Sequence, residues 1–187
     1  MSLQSFCEWL ANTPGSIALH ESLWMYPIVE STHVLTMTLF LGMTVMLDLR
    51  LLSVTMRRVP VSQVAGRLLP WARAGFVVMV VSGALLFYAI PVRTLHSVFF
   101  RVKLVMLILA GLNVWVFHST VFRSVAEWDL NPIVPRRARM AGAVSLVLWA
   151  GIVVAGRMIA YNWLDCDRQP QSSIVYLLAG CKTDSLE

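Results

Sequence analysis

The chain has 187 residues, of which 58% are hydrophobic and 13% charged. A soluble domain averages about 45–50% apolar and about 25% charged. Composition therefore excludes an ordinary soluble globule, a disordered chain and a disulfide-dense secreted module, and the mean hydropathy of +0.71 agrees. Fifteen Lys and Arg against ten Asp and Glu leave a net charge of +5. The basic residues are sorted by connection rather than gathered in one patch, which excludes a nucleic-acid partner. The expected partner is the lipid bilayer.

In chain order, Leu3, Phe6, Cys7 and Leu10 recur at helical spacing, so residues 2–12 read as a short helix on the outer membrane surface. Glu8 interrupts any continuous apolar run and no basic segment precedes it, so no cleavable signal peptide is expected. Thr13-Pro14-Gly15-Ser16 turns the chain before a second short helical stretch, and residues 1–24 are read as outer interfacial helices. Four uncharged stretches follow: residues 31–47, 74–92, 104–122 and 140–156. A span needs about 20 mostly apolar residues, and flanking Arg and Lys snorkel to complete the shorter ones. Backbone groups in hydrocarbon must be satisfied within the segment, so each stretch is a helix.

The reading is an all-α membrane protein: a four-transmembrane-helix bundle over residues 25–163, with spans at about 27–50, 72–92, 99–122 and 138–162. Pro70 falls near the expected start of the second span, Pro91 ends it, and Asn131-Pro132 with Pro135 breaks the chain between the third and fourth. Residues 164–187 are read as an outer tail.

Sidedness comes from Lys and Arg. Connections 1–2 and 3–4 carry nine, among them Arg50, Arg57, Arg58, Arg123 and Arg136; the opposite side carries six, and the first 30 residues none. Positive-inside sorting places both termini in the periplasm of a multi-pass protein of the bacterial inner (cytoplasmic) membrane. Trp9, Trp24 and Trp163 then fall at the outer interface, and Trp71 and Trp128 at the inner one, as an aromatic belt. Cys7, Cys166 and Cys181 all lie on the oxidising side, and Cys166 with Cys181 is the easier pair to close. No CxxC or Cys/His spacing points to a metal.

Ionisable groups at membrane depth are costly and mark function by default. His33 lies roughly 9 Å outward of the centre of span one, and His118 roughly 7 Å inward of the centre of span three. They read as two separate sites rather than two ligands of one iron. At the outer site Glu30 shares a helix face with His33, Arg157 enters the same depth from span four, and His96 sits just before span three, with His20 in reserve. Two imidazoles could ligate the iron of a b-type haem (heme b), His33 with His96 being the preferred pair. Glu30 could orient one ring and Arg157 could pair with a propionate. Alternatively Glu30 and Arg157 neutralise each other as a buried pair.

His118 as a metal ligand would need Met46, Met43 or a neighbouring subunit's donor; otherwise it hydrogen-bonds between helices, as Asn113 would. The ten methionines read as soft packing. Gly151 with Ala155, and Gly156 with Ala160, give span four small-residue faces for close packing within the bundle or in a homo-oligomer. No P-loop, HExxH, GxSxG or dinucleotide fingerprint is present.

Three stretches carry a resemblance: Glu30-Ser31-Thr32-His33-Val34-Leu35 running into Asp48-Leu49-Arg50-Leu51-Leu52; Leu68-Leu69-Pro70-Trp71; and Ala110-Gly111-Leu112-Asn113 followed by Val116-Phe117-His118. With Ala155-Gly156-Arg157 they resemble a family of small bacterial four-helix inner-membrane proteins of unknown function, over roughly residues 3–163. In that pattern His33, Asp48, Asn113, His118 and Arg157 match. The architecture is also similar, more weakly, to four-helix b-type membrane cytochromes. Two functional expectations follow. One is a haem-binding electron-transfer protein between a quinone or cytoplasmic donor and a periplasmic electron carrier. The other is a non-redox scaffold, accessory subunit or small-solute pathway with a structural polar network.

Overall fold

The computed structural model describes residues 2–129, 134–161, 164 and 172–179. Its helices are α1 (Leu3–Ala11), α2 (Pro14–Glu21), α3 (Met25–Leu51), α4 (Val61–Ala89), α5 (Pro91–His96) and α6 (Val98–Val116). A π-helical turn (Phe117–Val121) and a 3-10 turn (Phe122–Ser124) lead into α7 (Val125–Trp128), and α8 (Arg136–Ile159) and α9 (Ser173–Ala179) follow. Among the described residues all regular structure is helical. Four helical stretches are long and apolar enough to cross a membrane: Met25–Leu51, Val61–Ala89, Val98–Trp128 and Arg136–Ile159. The protein is thus an all-α membrane protein built on a bundle of four transmembrane helices. Leu35, Ile108 and Val147, near mid-helix, are about 70% exposed, which is what hydrocarbon in place of water permits.

The second span corrects one expectation. The helix that carries it begins at Val61, so Pro70 lies inside that helix and does not mark its start. Buried Val61, Val64, Ala65, Ala72, Gly75 and Met79 form one continuous stripe at helical spacing, while Pro70 is exposed on another side. The missing N–H and the ring therefore leave the packed face intact. The start is held by Asp129, whose carboxylate accepts from the Ser62 backbone N–H at 3.0 Å and from the Ser62 hydroxyl. An acid at a helix N-terminus satisfies orphan donors and complements the dipole.

Chain contacts resolve two compact units. One comprises Thr32–Val80 and Met106–Gly151. Within it α3 runs antiparallel to α4: His33 meets Met79, Gly75 lies against the Thr36 and Phe40 backbone, and Phe40 and Phe76 have ring centroids 5.4 Å apart. On another side α3 runs antiparallel to α8, where the Phe40 and Trp149 rings meet edge-on at 4.7 Å. A Cβ added at Gly142 would come within 3.1 Å of the Asp48 carbonyl oxygen and 3.2 Å of Leu51 Cβ. α8 also packs on α6 in this unit, with the Met106 thioether filling the space over Gly151. Leu51, Val61, Val121, Trp128, Val134 and Ala138 close one end as a buried cluster. Trp128 is 7% exposed, so it belongs to this core and not to an interfacial belt; Trp9, Trp24 and Trp71 are exposed.

The other unit comprises Met1–Ser31, Val81–Val105 and Ile152–Glu187. Here α1 packs against α5. α2 is anchored to the end of α4 through Tyr88: its hydroxyl is 2.8 Å from Thr13 Oγ1, and its carbonyl accepts from Ser16 Oγ at 2.7 Å. Gly15 leaves room for this approach: a Cβ there would sit 2.6 Å from the Tyr88 hydroxyl and push that end of the ring aside. Phe87 stacks on Phe100 at 5.6 Å, and Gly156 lies against the Lys103 amine. In each unit a small residue of α8 therefore receives a long side chain of α6. Arg101 donates to the Leu178 and Ala179 carbonyls at 2.6 and 2.7 Å and caps the C-terminus of α9. Cys166, Cys181, Trp163 and Asn131-Pro132 lie outside the described residues.

Gly142→Ala should destabilise the protein by about 1–3 kcal/mol, the cost of forcing a methyl into backbone contact. Gly111→Ala, with nothing within 4 Å, should leave thermal unfolding unchanged or raise the midpoint, because Ala is the better helix former. Thermal unfolding of the two variants in one detergent checks the pair.

Candidate functional site

In the unit built on α3, α4, α6 and α8, three polar side chains, His33, Asp48 and Asn113, reach a neighbouring helix. His33, half-buried on α3, brings Nδ1 to 3.0 Å from the Met79 carbonyl oxygen on α4. A carbonyl only accepts, so Nδ1 carries the proton and donates. Asn113 on α6 donates from Nδ2 to the Ala141 carbonyl on α8 at 3.0 Å. Asp48 on α3 is 5% exposed and has the Ser145 hydroxyl of α8 as its hydrogen-bonding neighbour. Its Oδ2 has no partner among the described residues. Three helix pairs are thus joined by polar side chains, two of them through backbone carbonyls on the neighbouring helix.

His118 behaves differently. It lies in the π-helical turn, is exposed, and stacks on Phe122 with centroids 5.2 Å apart and planes 18° from parallel. The π turn has a local cause. The Ser119 and Thr120 hydroxyls both donate to the Val116 carbonyl, at 3.2 and 2.6 Å, competing with the backbone for it. Such turns recur at functional positions, and the Ser-Thr pair after His118 is the sequence signal that marks this one.

The remaining sequence-derived site residues fall in the unit containing α1, α2 and α5. Glu30 is exposed; His96 is half-buried at the end of α5. Arg157 is exposed, donates to the Tyr161 hydroxyl at 3.2 Å and lies over that ring at 5.2 Å. Among the described residues its hydrogen-bond partner thus lies just past the end of its own helix. His20 meets Tyr26 edge-on at 6.3 Å, and Tyr26 lies within electrostatic reach of Glu30 and Arg93. A cleft of about 340 Å3 is lined by Ser16, Ile17, His20, Glu21, Pro91 and Arg93, among others. Among the described residues no group of three or more His, Cys, Asp or Glu side chains is placed to hold a metal ion.

A polar neighbourhood that the reading of the histidines passed over lies where α3 ends. Arg50 is 2% exposed, donates from Nε to the Val59 carbonyl at 2.7 Å, and lies in the field of Asp129. The signal in the sequence was an arginine and an aspartate two residues apart at the end of an apolar run, a spacing that cannot form a direct pair on a helix.

Chain comparisons add a family. The model of a family of unknown function, DUF6644, matches residues 6–162. No curated protein and no solved structure matches the chain.

Cys7 on α1 is 1% exposed, and burial pushes its thiol above the ordinary value. The folded state thus favours the neutral thiol. That contribution to stability is present below the ordinary thiol range and is lost as pH rises through the raised value. With Cys166 and Cys181 replaced by Ser, native protein should be alkylated by iodoacetamide much more slowly than detergent-denatured protein. Equal rates would contradict the burial.

Proposed function

The chain belongs to DUF6644, a family that brings no activity with it, and we propose that it serves as a non-redox multi-pass membrane module, a scaffold or accessory subunit of the bacterial inner membrane. In this reading the polar side chains inside the spans hold helices in register. The observation that carries it is the His33 Nδ1–H bond to the Met79 carbonyl, seconded by Asn113 on Ala141 and Ser145 at Asp48. In hydrocarbon a histidine or asparagine that reaches another helix's carbonyl is a tie between spans. The small residues Gly75, Gly142 and Gly151 allow the close approach those ties need. The proposed orientation keeps both termini periplasmic, with the arginine-rich connections at the cytoplasmic face.

A second reading keeps His33 as an axial ligand of a b-type haem in an electron-transfer protein served by a quinone and a periplasmic carrier. What favours it is the same bond, because a ligating imidazole typically gives its other ring N–H to a carbonyl or carboxylate. The histidine read as a separate inner site, His118, is exposed on the π turn and stacked on Phe122.

An absorption spectrum of detergent-purified protein from haem-replete cells separates the two. The module reading expects no Soret band, and His33→Leu should cost about 1 kcal/mol of stability, the usual worth of one interhelical hydrogen bond in a membrane. A Soret band that shifts on dithionite reduction and disappears in His33→Leu would establish the haem reading instead.

A further inference from the structure

The cleft between α2 and the α4–α5 junction lies within one compact unit and plays no part in the ties between spans. Its volume of about 340 Å3 falls in the range of about 300–1,000 Å3 that small-ligand sites occupy. Ile17, Ile90 and Pro91 contribute apolar walls, and the polar side chains of the lining are Ser16, His20, Glu21 and Arg93. The Ser16 hydroxyl donates to the Tyr88 carbonyl. The other three, all exposed, are an imidazole, a carboxylate and a guanidinium. Tyr26, on the first turn of α3, ties them into one neighbourhood. Its ring meets His20 edge-on at 6.3 Å, and its hydroxyl lies in the field of Arg93 and of Glu30. Glu30 is one turn further along α3. One guanidinium and two carboxylates thus surround a cleft with apolar walls.

We infer that this cleft binds a phosphoethanolamine group, carried by a phospholipid or free in solution. The mixture of charges selects it. A guanidinium suits a phosphate, and an imidazole N–H donates to the same oxygens. A primary ammonium brings three donors, which a carboxylate accepts. A wholly anionic guest would gain Arg93 but meet two acids, and a quaternary ammonium would bring charge without an N–H. Phosphoethanolamine answers both signs. The surroundings favour the lipid as its carrier. Glu21 lies four residues before α3 begins and Ala89, also in the lining, ends α4, so the cleft sits where two spans finish. Ile17 in its wall and Leu23, Trp24 and Met25 beside it are exposed, as side chains in the interfacial zone of a bilayer are.

The test follows thermal unfolding of full-length, delipidated protein in detergent. Phosphatidylethanolamine, phosphatidylcholine or phosphatidylglycerol with matched acyl chains, or free phosphoethanolamine, is titrated in. The site predicts a rise in Tm whose half-saturating concentration is about tenfold lower for phosphatidylethanolamine than for either other lipid, one charge-assisted hydrogen bond's worth of discrimination. A matching rise with free phosphoethanolamine would make the soluble molecule sufficient, and its absence assigns the lipid. The increment is read within each variant, so any change in basal stability cancels. Arg93→Gln should weaken phosphatidylethanolamine and phosphatidylcholine alike, by about tenfold, because both carry the phosphate. Glu21→Gln should bring phosphatidylethanolamine down to the level of phosphatidylcholine, a loss of preference that a purely structural role would not produce. Arg123→Gln, exposed in the other unit, should change neither. The inference is overturned if the three lipids stabilise equally, if no titrant stabilises, if either cleft variant keeps the original concentrations, or if Arg123→Gln weakens binding as much as they do.

Discussion

Hydrocarbon offers a polar side chain no partner, and the rest of the structure answers to that constraint. In water a half-buried histidine or asparagine can be satisfied by solvent at small cost. Within a span the same group must find a carbonyl, a hydroxyl or a charge inside the protein. His33 finds the Met79 carbonyl, Asn113 finds that of Ala141, and Asp48 has Ser145 beside it. The hydroxyls of Thr36, Thr38 and Thr44 solve the same problem locally, each donating to a carbonyl one turn back in α3.

Close packing is the second half of this solution, since a side-chain tie between helices has to span a short gap. Gly142 brings α8 against the α3 backbone next to Asp48, Gly75 brings α4 against Thr36 and Phe40, and Gly151 makes room for Met106. Phe40, against which Gly75 lies, continues this packing through its ring contacts with Phe76 and Trp149. Without a hydrophobic driving force between helices in lipid, dispersion and a few hydrogen bonds hold them together. Gly142, beside Asp48, and Gly75, one turn before Met79, therefore put close packing where polar side chains cross. Two glycines of the small-residue faces of α8, Gly151 and Gly156, lie against Met106 and Lys103 of α6 in the same chain.

How much of this was legible in the sequence depends on the length scale. Four spans could be counted from uncharged stretches, because the cost of ions in hydrocarbon is large and the required length is fixed. The start of α4 could not. Pro70 reads as a helix start, and only the Asp129 cap on Ser62, 67 residues away, shows why the helix begins at Val61. Trp128 reads as an interfacial aromatic from its position; its burial comes from packing with Leu51 and Ala138, which no local pattern encodes. For the histidines, spacing gave depth but not azimuth. Nothing in the one-dimensional pattern distinguishes a ring turned toward a neighbouring carbonyl, as at His33, from one left exposed on a π turn, as at His118.

The central claim is that the intramembrane histidine joins two helices. The most direct measurement is the nitrogen-15 NMR spectrum of the His33 ring in oxidised, full-length protein, assigned by its loss in His33→Leu. The account predicts a sharp diamagnetic signal with the proton on Nδ1 and the shift of a donor to a carbonyl. A ring signal shifted or broadened by ferric iron, or an Nδ1 without its proton, would contradict it.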